Sequence, residues 1–200
     1  MSEAATAETC GLRERKKRAT RQALQRAAVG LFLERGVEAV TVEDICARAE
    51  VSPRTFFNYF TAKEEVLVPW SAEVVERTAQ HVVEQPAERP PLQVAHTVLA
   101  TAIDTAMTAP TWRDQARVLR DHPELLPRVV AASRALEAAL AEGLARRLGR
   151  EDLYVRLLAS TAITAMRTAI QSWHQAGPDA DPHEFLDRAF DLLGRGLPPS

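Results

Sequence analysis

Thr41-Val42-Glu43-Asp44-Ile45-Cys46-Ala47-Arg48-Ala49-Glu50-Val51-Ser52-Pro53-Arg54-Thr55-Phe56-Phe57-Asn58-Tyr59-Phe60 holds two helix-start signals on either side of a tight corner. Thr41 is an N-cap residue with Asp44 three positions on to complete a capping box, and Ile45 and Ala49 fall one turn apart on the inner face of the helix that follows. That helix is expected to end near Glu50. Val51 then fills the corner, Ser52 caps a second helix, and Pro53 takes its first position, where a missing N–H costs nothing. Two short helices about a tight turn form a helix-turn-helix.

The second helix is expected over 54–60. Phe56 and Phe60 lie one turn apart and face inward, which leaves Arg54, Thr55, Asn58 and Tyr59 toward solvent. These side chains suit a DNA major groove. Arg makes a bidentate contact to guanine and Asn to adenine, Thr touches a thymine methyl or a phosphate, and a Tyr hydroxyl donates to phosphate. The sequence leaves open which of them meets a base. It also leaves open the plainer reading, in which an exposed helix start carries such residues for capping and solubility.

Upstream, 13–35 reads as an amphipathic helix with a stripe at Leu24, Ala28, Leu31 and Phe32, ended by Gly36 as a C-cap. Its first half carries Arg13, Arg15, Lys16, Lys17, Arg18, Arg21 and Arg26 against Glu14 alone, a local charge of +6. Phosphate is the natural partner of such a cluster; a solvated basic face is the alternative.

The block from Val51 to Glu65, with Tyr59-Phe60 and Lys63-Glu64 at their spacing, resembles the recognition-helix block of the TetR/AcrR family of bacterial transcriptional regulators. The resemblance is strong over 18–67 and weak beyond. It implies phosphate contacts from Thr41, Tyr59 and Lys63, with Ser52, Arg54, Thr55 and Asn58 facing the groove. Arg18 joins this DNA-binding set from the basic helix. Two departures stand out: Glu50 where the family often has Gly at the turn, and Phe56-Phe57 where many members have Leu-Tyr. The Thr-Phe-Phe-X-Tyr-Phe variant is similar to the subgroup containing the mycofactocin-system regulator. That likeness implies a response to acyl-CoA thioesters or another small hydrophobic effector.

The 200 residues are 46% hydrophobic and 26% charged, which suits a protein of one or two small folded domains. The overall charge of −2 conceals an asymmetry: residues 1–67 carry 11 basic and 10 acidic groups, and residues 68–200 carry 14 and 17. The local field of the first helix matters more than the total. Cys10 and Cys46 have no metal-ligand spacing and read as free thiols of a reducing cytoplasm. No run of membrane-spanning length and no signal-peptide core is visible, so a cytoplasmic protein is expected. The five histidines, at 81, 96, 122, 174 and 183, are scattered. Without a His-Glu-X-X-His motif, a Gly-rich phosphate loop or Gly-X-Ser-X-Gly, neither an enzyme, a metal site nor a cofactor is expected.

The expected fold is all-α with about nine helices in three segments: a disordered tail over 1–12, a three-helix DNA-binding domain over 13–62, and a ligand-binding and dimerisation domain over 63–200. Helices are expected over 63–83, with Pro69 as kink or hinge, and over 92–107, 111–120, 124–148, 152–175 and 182–193. In 152–175 small residues interleave with large ones. With the last helix this suggests a four-helix homodimer interface through Ala162, Met166, Ala169, Trp173, Phe185 and Phe190. A dimer places two recognition helices about 34 Å apart on a palindromic operator. Among the bulky and polar residues Trp70, His81, His96, Met107, Trp112, His122 and Arg128, the set Trp70, Met107 and Trp112 is the candidate lining of an effector pocket. Arg113, Arg117 and Arg120 stand ready for the phosphates of an acyl-CoA. The reading is a ligand-controlled dimeric repressor. A constitutive or activating DNA-binding regulator and a helical interaction adaptor remain the alternatives.

Overall fold

The computed structural model describes residues 2–68, 70–125, 127, 129, 134–177 and 180–197, with side chains from residue 15 onward. Among these residues there are nine α-helices, two short 3-10 segments and no strand. None of the described helices is long and apolar enough to cross a membrane. The chain divides into two compact units, Met1–Leu67 and Val68–Ser200.

The first unit contains α1 (Ser2–Arg35), α2 (Val42–Arg48), α3 (Pro53–Phe57) and a 3-10 turn, Lys63–Leu67. The helix α1 begins at Ser2, where the small polar residues predict disorder. Ala4, Ala5 and Ala7 are strong helix formers, and Glu3 and Glu8 lie toward the positive end of the helix dipole. Gly36, at φ 82°, ends the helix and donates its N–H to the Phe32 carbonyl at 2.9 Å. The expected stripe of Leu24, Ala28, Leu31 and Phe32 is buried, as are Ile45, Phe56, Phe60 and Leu67 in the core of this unit. Arg48 on α2 makes a two-bond fork to the Glu34 carboxylate of α1 at 3.0 and 2.8 Å.

The second unit contains α4 (Ala72–Glu84), α5 (Pro91–Met107), α6 (Trp112–Asp121), a 3-10 turn (Pro123–Leu125), α7 (Arg134–Leu148), α8 (Leu153–Ala176) and α9 (Pro182–Gly194). The single helix expected over 63–83 is not formed. The 3-10 turn closes the first unit, and α4 starts afresh after Ser71, whose hydroxyl accepts the Val74 N–H at 3.3 Å. A proline at 69 has no amide to continue an α-helical ladder, and the serine two residues later supplies a new cap. Pro69 itself, the expected hinge, lies outside the described residues, as do Arg128 and much of the stretch joining 125 to 134.

Helices α4 and α7 approach closely at Gly143. A Cβ there would sit 2.8 Å from the Ala79 carbonyl oxygen and from the Val82 Cβ. One turn later Arg147 donates to the carbonyls of Gln85 (2.7 Å), Ala87 (3.1 Å), Arg89 (3.3 Å) and Pro86, tying down the loop that leaves α4. Helix α9 is held to α5 by His96 with Asp187 at 2.7 Å and His183 with Asp104 at 2.9 Å.

The two faces of α8 are the reverse of what the small-residue pattern suggests. Ala162, Met166, Ala169 and Trp173, with Phe190 of α9, are 0, 3, 3, 5 and 6% exposed, and Phe185 is half-buried. They therefore lie in the interior of their own unit. Trp173 stacks on Trp112 of α6 at 5.4 Å and donates its indole N–H to the Ala180 carbonyl at 2.7 Å. The outward face carries Leu153, Tyr154 and Leu157, and then a groove lined by Thr161, Thr164 and Thr168 with Ala189, Leu192 and Leu197. Alanines and large apolar residues recurring at three and four positions mark the core stripe of a long helix. Threonines opposite give little hydropathy signal.

Two glycine substitutions should act with opposite sign in thermal unfolding. Gly143→Ala drives a methyl into the α4 backbone and is expected to cost about 1–3 kcal/mol. Gly30→Ala, inside α1 with its nearest neighbour 4.0 Å away at the Arg48 guanidinium, is expected to gain about 0.5–1 kcal/mol.

Candidate nucleic-acid interface

The corner between α2 and α3 is a complete Schellman turn. The Val51 N–H donates to the Cys46 carbonyl at 3.0 Å and the Glu50 N–H to the Ala47 carbonyl at 3.4 Å, with Glu50 at φ 55° between them. A side chain at that φ strains the backbone by about 1 kcal/mol, which is why glycine suits the position. The turn forms around Glu50 all the same. On its far side Ser52 Oγ accepts the Thr55 N–H at 3.1 Å, and Pro53 opens α3 as expected. The helix is shorter than expected. It ends at Phe57, with Asn58 as its C-cap.

At the start of α2 the capping box is present in full. Thr41 Oγ1 donates to Asp44 Oδ2 at 2.8 Å and accepts the Asp44 N–H at 3.1 Å, while the Thr41 N–H donates to Oδ2 at 2.9 Å. The bonds from Thr41 hold the Asp44 carboxyl below the usual carboxylate range. Phe56 and Phe60, 0 and 2% exposed, face inward with rings 5.4 Å apart. The Arg21 guanidinium lies 4.6 Å above the Phe60 ring, so this member of the basic cluster packs onto the core. Arg15, Lys16, Lys17, Arg18 and Arg26 are exposed along α1, and the Arg13 side chain lies outside the described ones.

The eight residues predicted to contact DNA fall into two groups. Arg54 and Asn58, four positions apart, are exposed on one face of α3, and Arg18 is exposed on α1. Thr41 is committed to its capping box. Ser52 and Thr55 are 2.9 Å apart, hydroxyl to hydroxyl, and Tyr59 is half-buried. Lys63 turns inward: its Nζ donates to the carbonyls of Val37 and Val40, both at 2.7 Å, and of Glu38 at 3.4 Å. All three ammonium donors are directed at the loop joining α1 to α2. Sequence reasoning missed Phe57, which is 56% exposed on the same short helix as Arg54 and next to Asn58, both also exposed. Spacing alone does not place it, because Phe57 lies three residues after Arg54 and three before Phe60, and the same rule sets it beside either.

The candidate pocket residues of the second unit are dispersed in character. Trp70 and Trp112 are buried, whereas Met107, at the end of α5, is 41% exposed. Trp112 has Trp173 as its ring partner. Arg113 and Arg117 are exposed on α6, while Arg120 donates from Nε to the His174 carbonyl at 2.9 Å. His174 is buried, and burial together with the Arg120 charge pushes its imidazole down to about 4.

A family model described as bacterial regulatory proteins, tetR family, matches residues 24–68, and one described as MftR C-terminal domain matches residues 105–198. The HTH-type transcriptional regulator TcmR of Streptomyces glaucescens is 34% identical over 94% of this chain and 87% of its own. The chain belongs to the TetR family. A Mycobacterium tuberculosis protein named as the mycofactocin biosynthesis transcriptional regulator MftR is 26% identical over 92% of this chain and 93% of its own. Among solved structures, Thermus thermophilus FadR, described as a TetR-family repressor in complex with lauroyl-CoA, is 26% identical. It covers 90% of this chain and 96% of its own at a TM-score of 0.51. As a TetR-family member the chain is a DNA-binding transcriptional regulator, and the helix-turn-helix is its DNA-binding element.

Lys63 separates a direct from an indirect role in that binding. A lysine contacting phosphate contributes about one unit to the slope of log affinity against log salt concentration. Lys63→Met is expected to leave that slope unchanged while lowering the thermal stability of the protein, because three carbonyls lose their donor. A slope reduced by about one unit in salt-titrated binding would assign Lys63 to phosphate instead.

Proposed function

We propose that the chain is a repressor that binds a palindromic operator as a homodimer in the cytoplasm and releases it when a hydrophobic effector of the acyl-CoA class occupies the second unit. The observation that carries the DNA half is the α3 face, where Arg54 and Asn58 project side by side from a helix capped at both ends, beside the basic exposed side of α1. Arg54 would take a guanine and Asn58 an adenine through two hydrogen bonds each. Arg18, Tyr59 and the amide-rich starts of α2 and α3 would hold the phosphates. Thr41 and Ser52 would keep those starts in shape.

The effector half is supported by the MftR-type model over 105–198 and by the likeness to the repressor described with lauroyl-CoA. Trp70 and Trp112 are the proposed apolar lining, and the exposed Arg113 and Arg117 would meet the phosphates of the coenzyme. Repression and release then amount to a difference in effector affinity between a DNA-competent and a DNA-incompetent state.

The dimer is proposed on the outward face of α8 and α9, not through the residues the sequence pattern singled out. Leu157 is 61% exposed there, beside the threonine-lined groove that ends at Leu192 and Leu197. A large exposed apolar patch on two adjacent long helices suits a self-complementary interface. Leu157→Arg is expected to give monomers by light scattering and to weaken operator binding sharply.

Fluorescence anisotropy on the DNA flanking the protein's own gene, at two salt concentrations with scrambled competitor, tests the whole reading. Tight, salt-sensitive binding that scrambled DNA does not compete, and that added lauroyl-CoA reverses, is expected. Arg54→Ala or Asn58→Ala should relax preference at one base position by about 1–3 kcal/mol. Equal loss on matched and scrambled duplexes would remove these residues from base reading.

A further inference from the structure

We infer that Phe57 is a specificity-determining residue, packing its ring on the 5-methyl group of a thymine adjoining the base read by Asn58. The inference rests on the proposed DNA reading and adds a third element to it, an apolar one. Phe57 is 56% exposed, although every other phenylalanine of the helix-turn-helix is buried. It lies three positions after Arg54 and next to Asn58, and all three are exposed on α3 and its C-cap. Its ring has no hydroxyl, so it cannot donate to a phosphate. The apolar group that base edges present in the major groove is the methyl of thymine.

The ring is also held ready for such a contact. It meets the fully buried Phe56 ring edge-on, with centroids 5.4 Å apart and planes at 86°. A side chain positioned before binding loses little rotamer freedom when DNA arrives. Asn58, the next residue, matches the N6 and N7 edge of adenine, whose partner is thymine. An Asn and a Phe side by side therefore suit A·T pairs in a way that hydrogen bonding alone does not.

The test uses the full-length protein and a preferred site selected from a random DNA pool. Each thymine of that duplex is replaced singly by uracil, which removes only the methyl group. At one thymine per half-site, uracil is expected to weaken wild-type binding about fourfold, and about fifteenfold when both half-sites are changed. In Phe57→Ala that step disappears, while the preferences assigned to Arg54 and Asn58 persist. Phe57→Leu, which keeps an apolar side chain over Phe56, should show a reduced step and covers the case in which the alanine variant fails to fold. A wild-type protein indifferent to uracil at every position would overturn the inference, as would an undiminished penalty in both variants. A pool that yields no preferred sequence would instead overturn the DNA reading on which it rests.

Discussion

The turn at Ala49, Glu50 and Val51 sets the angle between α2 and α3, and so fixes where Arg54, Phe57 and Asn58 point. It is built from backbone bonds, Val51 to Cys46 and Glu50 to Ala47, and requires one residue in the left-handed region. Glutamate there costs about 1 kcal/mol relative to a residue at ease with that φ. The two amide bonds and the burial of Ile45 and Phe56 on either side outweigh that cost. The corner is held by its surroundings, so it tolerates a residue other than glycine at the strained position.

The same logic extends to the polar side chains around the helix-turn-helix. Thr41, Ser52 and Lys63 satisfy backbone amides and carbonyls of their own fold: two helix starts and the loop at 37–40. Each would otherwise leave backbone groups dependent on water. A helix that reads DNA must not rearrange as it binds, because every degree of freedom frozen at that moment subtracts from affinity. Polar residues near a nucleic-acid surface thus divide into those that shape the element and those that reach beyond it. In the proposed reading the second class is Arg54 on α3 and Asn58 at its C-cap.

That division explains what was legible in the sequence. Cap residues write their function locally, so the Thr41-Asp44 box, the Ser52-Pro53 start and the Gly36 stop were readable with no knowledge of the fold. Helix α5 was readable as well, over nearly its whole length. Lys63 was not, because its partners lie 23 to 26 residues earlier in the chain and no spacing rule reaches that far. The break between the 3-10 turn and α4 was signalled by proline and a new serine cap, yet an apolar run across it masked the signal. The faces of α8 were misassigned because small residues let helices approach closely in a core as well as at an interface. Only the positions of α7 and α9 show which of the two applies.

In the second unit close packing limits which movements an effector could provoke. Gly143 places α7 against the backbone of α4, and Arg147 grips the carbonyls just beyond the end of α4. Separating the two would break four charge-assisted hydrogen bonds and open a packed interface, a cost far above the roughly 1.4 kcal/mol that changes an equilibrium tenfold. Helices α4 and α7 must therefore move as one body. Helix α6 is held by side chains: Trp112, Gln115, Ala116, Val118 and Leu119 are buried, Trp112 stacks on Trp173, and Arg120 donates to the His174 carbonyl. An acyl chain entering between those rings, as the proposed effector would, exchanges one apolar contact for another and breaks little backbone bonding. An effector's differential affinity, typically 1–3 kcal/mol of coupling, is large enough for that. In the proposed reading the α6 and α8 contact is the seam at which a ligand would displace α6 without first dismantling the α4 and α7 pair.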